Sequence, residues 1–452
     1  MSTIKNRLFE QNGKAKNTYD NVLGLIQSKI LSNDSDIMSR YSTEELKDKL
    51  VNIIIKYIAE EQIAVDGYNT QELAYRIYED MAGSSFLNKY IYETPGVEEV
   101  NINRWDDVTV TYAGKKPEKT PEQFSSPQQA VDIIKRLLLT QNLTIDNTTP
   151  SVLSYLSEGV RICANIAPVV SKEAAVSASI RIVRTESVNM DKLLELNTAT
   201  KEMLDFLKLC VNNYVSVCIS GSVGAGKTTT LAAMLEQAKN ADRVITIEEG
   251  SREFSLLKRD ENGKIINNVL SKLTRYSDNE KMIIDQEDLL EHCLRENPDI
   301  MGIGEMRSSE AYTVAEAART GTATYTTTHA KDAPNTYDRL VELSYKKYPM
   351  NLDFLSKQMV EAFPIIVHQK KFPDGSRKIV EICEGVGFNS DTHKVETNML
   401  YKYVVTDNII NENTGKVEKI IGHYEKCNVM SEKLYNSFLA GGATTVELDK
   451  FM

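Results

Sequence analysis

The sequence predicts an α/β protein, with a helix-covered parallel sheet in its second half and a smaller α+β module before it. A helical N-terminal extension and a small C-terminal extension complete the expectation. Two patterns and one size constraint lead there. Between residues 187 and 385, apolar β-branched runs such as "YVSVCIS" and "RVITIEE" alternate with helical stretches such as "TTTLAAMLEQAK". Unbroken apolar strands separated by helices belong to parallel sheets covered on both faces. Upstream, "GVEEVNINRWDDVTVTYAG" alternates apolar and polar residues, as a hairpin with one wet face does. A chain of 452 residues also exceeds what one ordinary core holds, so several domains are expected.

The first forty residues are polar, with "NGKAKN" and "SNDSD" clusters that favour short helices or disorder. "YSTEELKDKLVNIIIKYIAEEQ" predicts a helix, with Ser42 as cap and Glu45 closing a capping box. "NTQELAYRIYEDMAG" predicts a second helix, capped by Asn69 and stopped by Gly83. A third is predicted in "SSPQQAVDIIKRLLLTQN", with Ser126 capping and Pro127 at its first position. Short strands follow in "GVRICANIAPVV" and "AVSASIRIV", and the pattern breaks at the linker "RTESVNMDK". The expected domains are a polar, helical extension over 1–68, the α+β module over 69–186 and the parallel-sheet domain over 187–385. Residues 386–452 are expected to form a hairpin and a last helix ending near "AGG".

Composition limits the functional classes. There are 64 acidic against 53 basic side chains, a formal charge of −11. That balance disfavours a general nucleic-acid binder, whose phosphate contacts need clustered Lys and Arg, so no direct nucleic-acid partner is expected. No apolar run approaches the roughly 20 residues of a membrane helix. The opening "MSTIKNRLFEQNGK" lacks the apolar core of a secretory signal, and a cytoplasmic protein is expected. Six cysteines occur without a Cys-x-x-Cys pair, which argues against a disulfide framework or a thiolate zinc site.

The chemistry concentrates at "CISGSVGAGKTTTL". Gly221, Gly226, Lys227 and Thr228 satisfy the G-x-x-x-x-G-K-[ST] spacing of a P-loop. Glycines let successive backbone N–H groups turn onto phosphate oxygens, Lys reaches the β/γ-phosphates, and Thr ligates magnesium. The loop expected to hold ATP therefore comprises Gly221, Ser222, Val223, Gly224, Ala225, Gly226, Lys227, Thr228 and Thr229. A strand before it and a helix after it supply the anion site of a helix N-terminus.

Two acidic sites end apolar strands downstream: Glu248 and Glu249 after "RVITI", and Glu305 after "IMGIG". Acids at the carboxyl ends of parallel strands face the crevice where ligands bind, although each is also compatible with a solvated loop carboxylate. His329 ends the Thr-rich "TGTATYTTTHA", where a γ-phosphate could be sensed; a structural His is the other reading. Arg161 in "EGVRICANIAP" and Arg181 in "SASIRIV" are either surface residues or arginines that reach a nucleotide from a neighbouring module.

With these motifs in order, the chain resembles the ATPases of type II and type IV secretion and type IV pilus assembly. The tight-adherence (Tad) pilus branch, the CpaF type, is the closest in pattern. The resemblance rests on "GVEEVNIN", "EGVR", "SIR", "GSVGAGKTTTL", "RVITIEE", "LLEHCLRENPDIMGIGEMRSSEA", "RTGTATYTTTHA" and "DGSRKIVEI". It implies a homohexameric ring at the cytoplasmic face of the inner membrane, working with a platform protein there. It also implies a PAS-like N-terminal module joined to a RecA-like motor domain, with ATP and Mg²⁺ between them.

By this resemblance Lys227 and Thr228 belong to Walker A, and Glu248 is the water-activating acid. Glu305 belongs to Walker B and helps hold magnesium with Thr228, His329 belongs to the His box, and Arg161 and Arg181 approach the nucleotide. The chain departs from the family pattern in three places. Its acidic box reads Glu-Glu where Glu-Asp is usual, with Glu253 one residue late; Thr322 stands where a His is usual; and the tetracysteine module of the type II branch is missing. An effector-export or conjugation ATPase, a RecA-like nucleic-acid motor and a nucleotide-dependent scaffold with little hydrolysis are the rival readings.

Overall fold

The computed structural model describes residues 19–33, 44–81, 85–112, 115–141, 143–157, 159–182, 188–250, 252–275, 282–412 and 414–452. Ser42, Gly83 and the first part of the expected linker, residues 184–187, lie outside these. The chain divides into two compact units: residues through Leu156 with Val160–Ile182, and Ser157–Gly159 with Val183–Met452. The fold is mixed α/β.

The first unit opens with helices α1 (Tyr19–Asn33), α2 (Glu44–Glu60) and α3 (Thr70–Met81). Val22, Ile26 and Ile30 of α1 meet Leu50, Ile54 and Ile58 of α2, and Leu73 and Ile77 of α3, in one core. These positions recur at four-residue spacing, so each helix turns one apolar stripe inward. The N-terminus of α3 carries a capping box: the Asn69 Oδ1 accepts the Glu72 N–H at 2.9 Å, and Glu72 Oε2 accepts the Asn69 N–H at 3.1 Å.

Strands β1 (Val97–Arg104), β2 (Asp107–Tyr112) and β3 (Glu118–Lys119) follow, then α4 (Pro127–Leu139), β4 (Ser151–Ser157), β5 (Val160–Ile166) and β6 (Val176–Ile182). They form a sheet in the order β3-β2-β1-β6-β5-β4. Ser126 caps α4 by accepting the Gln129 N–H, with Pro127 in the first turn. Ile133, Ile134 and Leu137 of α4 join the core with Val100, Ile162 and Ile180 of the sheet. The antiparallel register places Glu99 opposite Arg181 and Arg181 opposite Arg161. Period-2 alternation then sets these three in one row, away from the buried row of Val100, Ile180 and Ile162.

The second unit contains α5 (Met190–Glu195), α6 (Lys201–Asn212), β7 (Val217–Gly221), α7 (Lys227–Leu235), β8 (Arg243–Glu248), β9 (Asn268–Leu273), α8 (Gln286–Leu294) and β10 (Ile300–Ile303). It continues with α9 (Glu310–Arg319), β11 (Ala323–Thr328), α10 (Pro334–Tyr345), α11 (Leu352–Ala362) and β12 (Ile365–Lys371). Strands β13 (Arg377–Asn389), β14 (Lys394–Ile410) and β15 (Val417–Lys426) precede α12 (Glu432–Ala440) and α13 (Thr445–Leu448).

The nine strands make one sheet, β15-β14-β13-β12-β7-β11-β10-β8-β9. From β12 to β9 the pairs are parallel, and from β12 to β15 they are antiparallel. Successive residues of each central strand feed cores on opposite faces. Ile219 and Val244 join α6 and α7 on one side, while Cys218, Ile245 and Ile247 join α8 to α11 on the other. Both faces being covered explains the unbroken apolar runs.

The chain after 385 is not a separate layer. β13 runs across that position, and Phe438 and Phe451 pack on Phe206 of α6 with ring centroids 5.9 and 5.6 Å apart. β7 lies between β11 and β12, so the chain leaves β7 towards β8 on one side and returns to β12 on the other. Such a reversal of direction opens a crevice at the carboxyl ends of the strands.

Candidate functional site

The loop between β7 and α7 occupies that crevice. Gly221 ends β7 where the backbone of β12 presses against it; a Cβ there would stand 2.1 Å from the Gln369 carbonyl oxygen. Gly226 sits at φ +92°, a left-handed conformation, just before the first residue of α7. The N–H groups of the first turn of α7 are free of intrahelical partners by construction. Ser222 and Val223 are exposed, Gly224 and Thr228 half-buried, Ala225 buried and Thr229 exposed.

Lys227 is buried, 7% exposed, and its Nζ donates to the carbonyl oxygens of Gly221 at 3.2 Å and Ser222 at 3.1 Å. The same Nζ is 3.4 Å from His329 Nδ1. His329 Nδ1 in turn lies 2.8 Å from the Gly221 carbonyl oxygen. A carbonyl can only accept, so Nδ1 carries the proton in that bond. The other nitrogen, Nε2, is 3.0 Å from Glu305 Oε1. That contact is an electrostatic one without hydrogen-bond alignment, since Oε1 is buried with no aligned partner.

Glu305 Oε2 accepts from Arg307 Nη2 at 2.8 Å, and Arg307 Nη1 donates to Glu249 Oε2 at 2.5 Å. Burial alone would raise the Glu305 carboxyl. The hydrogen bond and charge of Arg307, with the charges of His329 and Lys227, outweigh it and hold the group below its ordinary value.

Glu248 has a different environment. It is 2% exposed, and its Oε2 accepts the Phe254 N–H at 2.9 Å and the Glu253 N–H, while Oε1 accepts from Ser271 Oγ at 3.2 Å. Burial pushes its carboxyl up to about 7, against the pull of the two backbone N–H groups and Ser271.

Lys227, His329 and Glu305 therefore meet around Gly221 within the second unit. Arg161 and Arg181 meet each other within the first, half-buried and exposed respectively.

Several further groups reach the loop that the sequence reading passed over. Arg377 Nε donates to the Gly224 carbonyl oxygen at 2.9 Å, and Thr230 Oγ1 donates to Gln369 Oε1 at 2.9 Å inside α7. Asp374, three residues before Arg377, accepts the Ile420 N–H of β15 at 2.8 Å. Beneath the loop, His368 Nδ1 is 3.0 Å from Ser220 Oγ, which also accepts from Thr336 Oγ1 at 2.8 Å. Arg307 alone had a local signal: in extended backbone, residues two apart share a face, and Arg307 follows Glu305 by two. Arg377 and Gln369 approach from strands about 150 positions away, with no local signature.

Comparison with known proteins finds relatives over much of the chain. A family model described as Type II/IV secretion system protein matches residues 127–418. An uncharacterised protein of Methanocaldococcus jannaschii is 25% identical over 350 residues, 76% of this chain and 60% of its own length. The type IV pilus retraction ATPase PilT of Pseudomonas aeruginosa is 33% identical over 130 residues, 28% of this chain and 34% of PilT. A putative conjugal transfer protein of Mycobacterium tuberculosis is 22% identical over 312 residues, 67% of this chain and 85% of that protein. The chain thus spans 60% of the M. jannaschii relative and about a third of PilT.

Proposed function

Since the chain belongs to the type II/IV secretion system protein family, we propose that it is an ATP-hydrolysing motor of a pilus or secretion machine. The observation that carries this reading is the contact chain from Lys227 through His329 to Glu305 at the mouth of the P-loop. Phosphoryl transfer asks the protein for positioning and electrostatic stabilisation more than for covalent chemistry. A buried Lys, a lowered carboxyl and a His gathered around one phosphate-sized loop supply both.

In the proposed reaction, N–H groups at the start of α7 receive the phosphate oxygens of ATP. Lys227 exchanges the carbonyls of Gly221 and Ser222 for the β/γ-phosphates. His329, bonded to Gly221 and facing Glu305, reports whether the γ-phosphate is present. The reaction implies magnesium, and the residues fit it. Glu305 Oε1 is buried without an aligned partner, and Thr228 stands in the first turn of α7. Mg²⁺ is commonly held by one or two carboxylates together with substrate phosphates. When bound it neutralises charge on those phosphates.

The finer reading rests on the resemblance. It is a homohexamer of the Tad pilus type, with PAS-like and RecA-like domains, at the cytoplasmic face of the membrane beside a platform protein. There Arg161 and Arg181 stabilise charge on the transferring phosphoryl group. The test is to purify the full chain with magnesium and a non-hydrolysable ATP analogue, measure its mass, and assay turnover for it and for Lys227→Ala. A hexamer whose Lys227-dependent ATPase activity is measurable supports the reading. A stable monomer without turnover defeats it.

The relative described as a putative conjugal transfer protein favours one second reading, an ATPase of conjugation or effector export. Pilin-like or conjugation genes beside its own discriminate the two. Stimulation of turnover by DNA would instead favour a nucleic-acid motor, which the charge of −11 disfavours.

A further inference from the structure

Glu248 and Glu249 are neighbours in sequence, but the pleat sends them to opposite faces of the sheet. Ile247 and Ile303 are register partners between β8 and β10, and both feed the core beneath α8 to α11. Counting two residues on from each brings Glu249 beside Glu305. Arg307 shows that this alternation holds past the strand ends, because its two terminal nitrogens take one oxygen from each of those carboxylates. Glu248 points the other way, towards Phe254 of the core shared with α7.

What each carboxylate does with its oxygens follows from this. Glu248 accepts two backbone N–H groups and the Ser271 hydroxyl at 2% exposure, which binds the loop after β8 down onto β9. Releasing it towards a substrate would leave the buried Phe254 N–H and the half-buried Glu253 N–H without that acceptor, which is unfavourable. Glu249 carries a side chain 35% exposed, and it is joined through Arg307 to Glu305 and so to His329 and Lys227. Its partner Arg307 has a side chain 52% exposed.

We infer that Glu249, positioned by Arg307, is the carboxylate that orients the attacking water, and that Glu248 is a pin for the loop that follows β8. This rests on the ATPase reading above. In the step, the water oxygen forms a bond to the γ-phosphorus while the bond from that phosphorus to the β,γ-bridging oxygen breaks. ADP leaves with the electron pair. One water proton passes to Glu249 and on to solvent, and the other stays on the inorganic phosphate. Arg307 is a positioning residue: it holds two like-charged carboxylates side by side, which would otherwise raise one another's proton affinity.

The experiment compares full-length wild type, Glu249→Gln and Glu248→Gln with Mg-ATP. It measures kcat, the affinity for a fluorescent ADP analogue, and Tm with circular dichroism. Glu249→Gln is expected to lower kcat by about a hundredfold or more, the usual weight of a general base, with ADP affinity within about threefold. Glu248→Gln is expected to lower Tm and to change kcat by less than about tenfold. Arg307→Lys is expected to reduce kcat by a larger factor in Glu249 wild type than in Glu249→Gln, where only its hydrogen bond to Glu305 is left to lose, whereas a merely structural arginine would give equal factors. The assignment is overturned if folded Glu248→Gln loses turnover, whether or not Glu249→Gln also does, or if Glu249→Gln turns over like wild type. Absence of turnover in the wild type itself would instead strike the ATPase reading.

Discussion

His329 Nδ1 donates to the carbonyl oxygen of Gly221 across 2.8 Å, tying the strand-end histidine of β11 to the residue where β7 gives way to the phosphate loop. One side chain thus touches the loop backbone, the loop lysine and the acid of β10 together. Replacing His329 with Ala removes a bond to the loop and the ring that faces Glu305 Oε1. Turnover should fall by about tenfold, equivalent to about 1.4 kcal/mol, with a smaller change in ADP affinity. Equal losses in kcat and in ADP affinity would show that the ring merely supports the fold of the loop.

Arg181 stands between Glu99 and Arg161 in one row of the first unit's sheet. If it reaches the nucleotide as an arginine finger, Arg181→Ala should cost on the order of 10³ or more in turnover. Nucleotide binding should change far less. Single-turnover hydrolysis and a binding titration on the same preparation separate the two, and unchanged turnover removes Arg181 from the mechanism.

His368 is 6% exposed beneath the loop, and burial, reinforced by the charges of Lys370 and Lys227 against that of Asp332, pushes its imidazole down to about 4. The unfolded chain binds this proton near the ordinary 6.5, so the unfolded state holds more protons between those values. Stability from this group is fully present above pH 6.5 and is lost as pH falls towards 4. The loss amounts to about 3 kcal/mol at most, at roughly 1.4 kcal/mol per unit. Denaturant titrations across that range should slope downwards with acid for the wild type and flatten for His368→Gln. Equal slopes would place the acid sensitivity elsewhere.

Phe438 is fully buried and meets Phe206 edge-on at 5.9 Å. Phe438→Ala should cost about 3–5 kcal/mol, the usual range for a large aromatic lost from a core. A thermal melt that loses little would mean that the C-terminal helices are dispensable to the second unit.

Much of the site was legible where its geometry is local. The G-x-x-x-x-G-K-[ST] spacing, the apolar run before it and the helix after it lie within 25 residues, and the caps at Asn69 and Ser126 are equally local. Which of Glu248 and Glu249 faces Glu305 was not legible, because it depends on a register between β8 and β10 that only the folded sheet sets. The strand pattern after 385 suggested a hairpin and a last helix, but carried no sign that β13 pairs with β12 and brings Arg377 back to Gly224. No window of sequence contains both ends of that contact.

The β12–β13 turn holds two hydrogen bonds that point in different directions. Arg377 grips the carbonyl of Gly224 in the phosphate loop, and three residues earlier Asp374 grips the backbone of Ile420 in the last strand of the sheet. A change in the shape of the phosphate loop would therefore either draw on the β14–β15 ribbon or break one grip. The sheet's far edge is yoked to that loop by a tight bend.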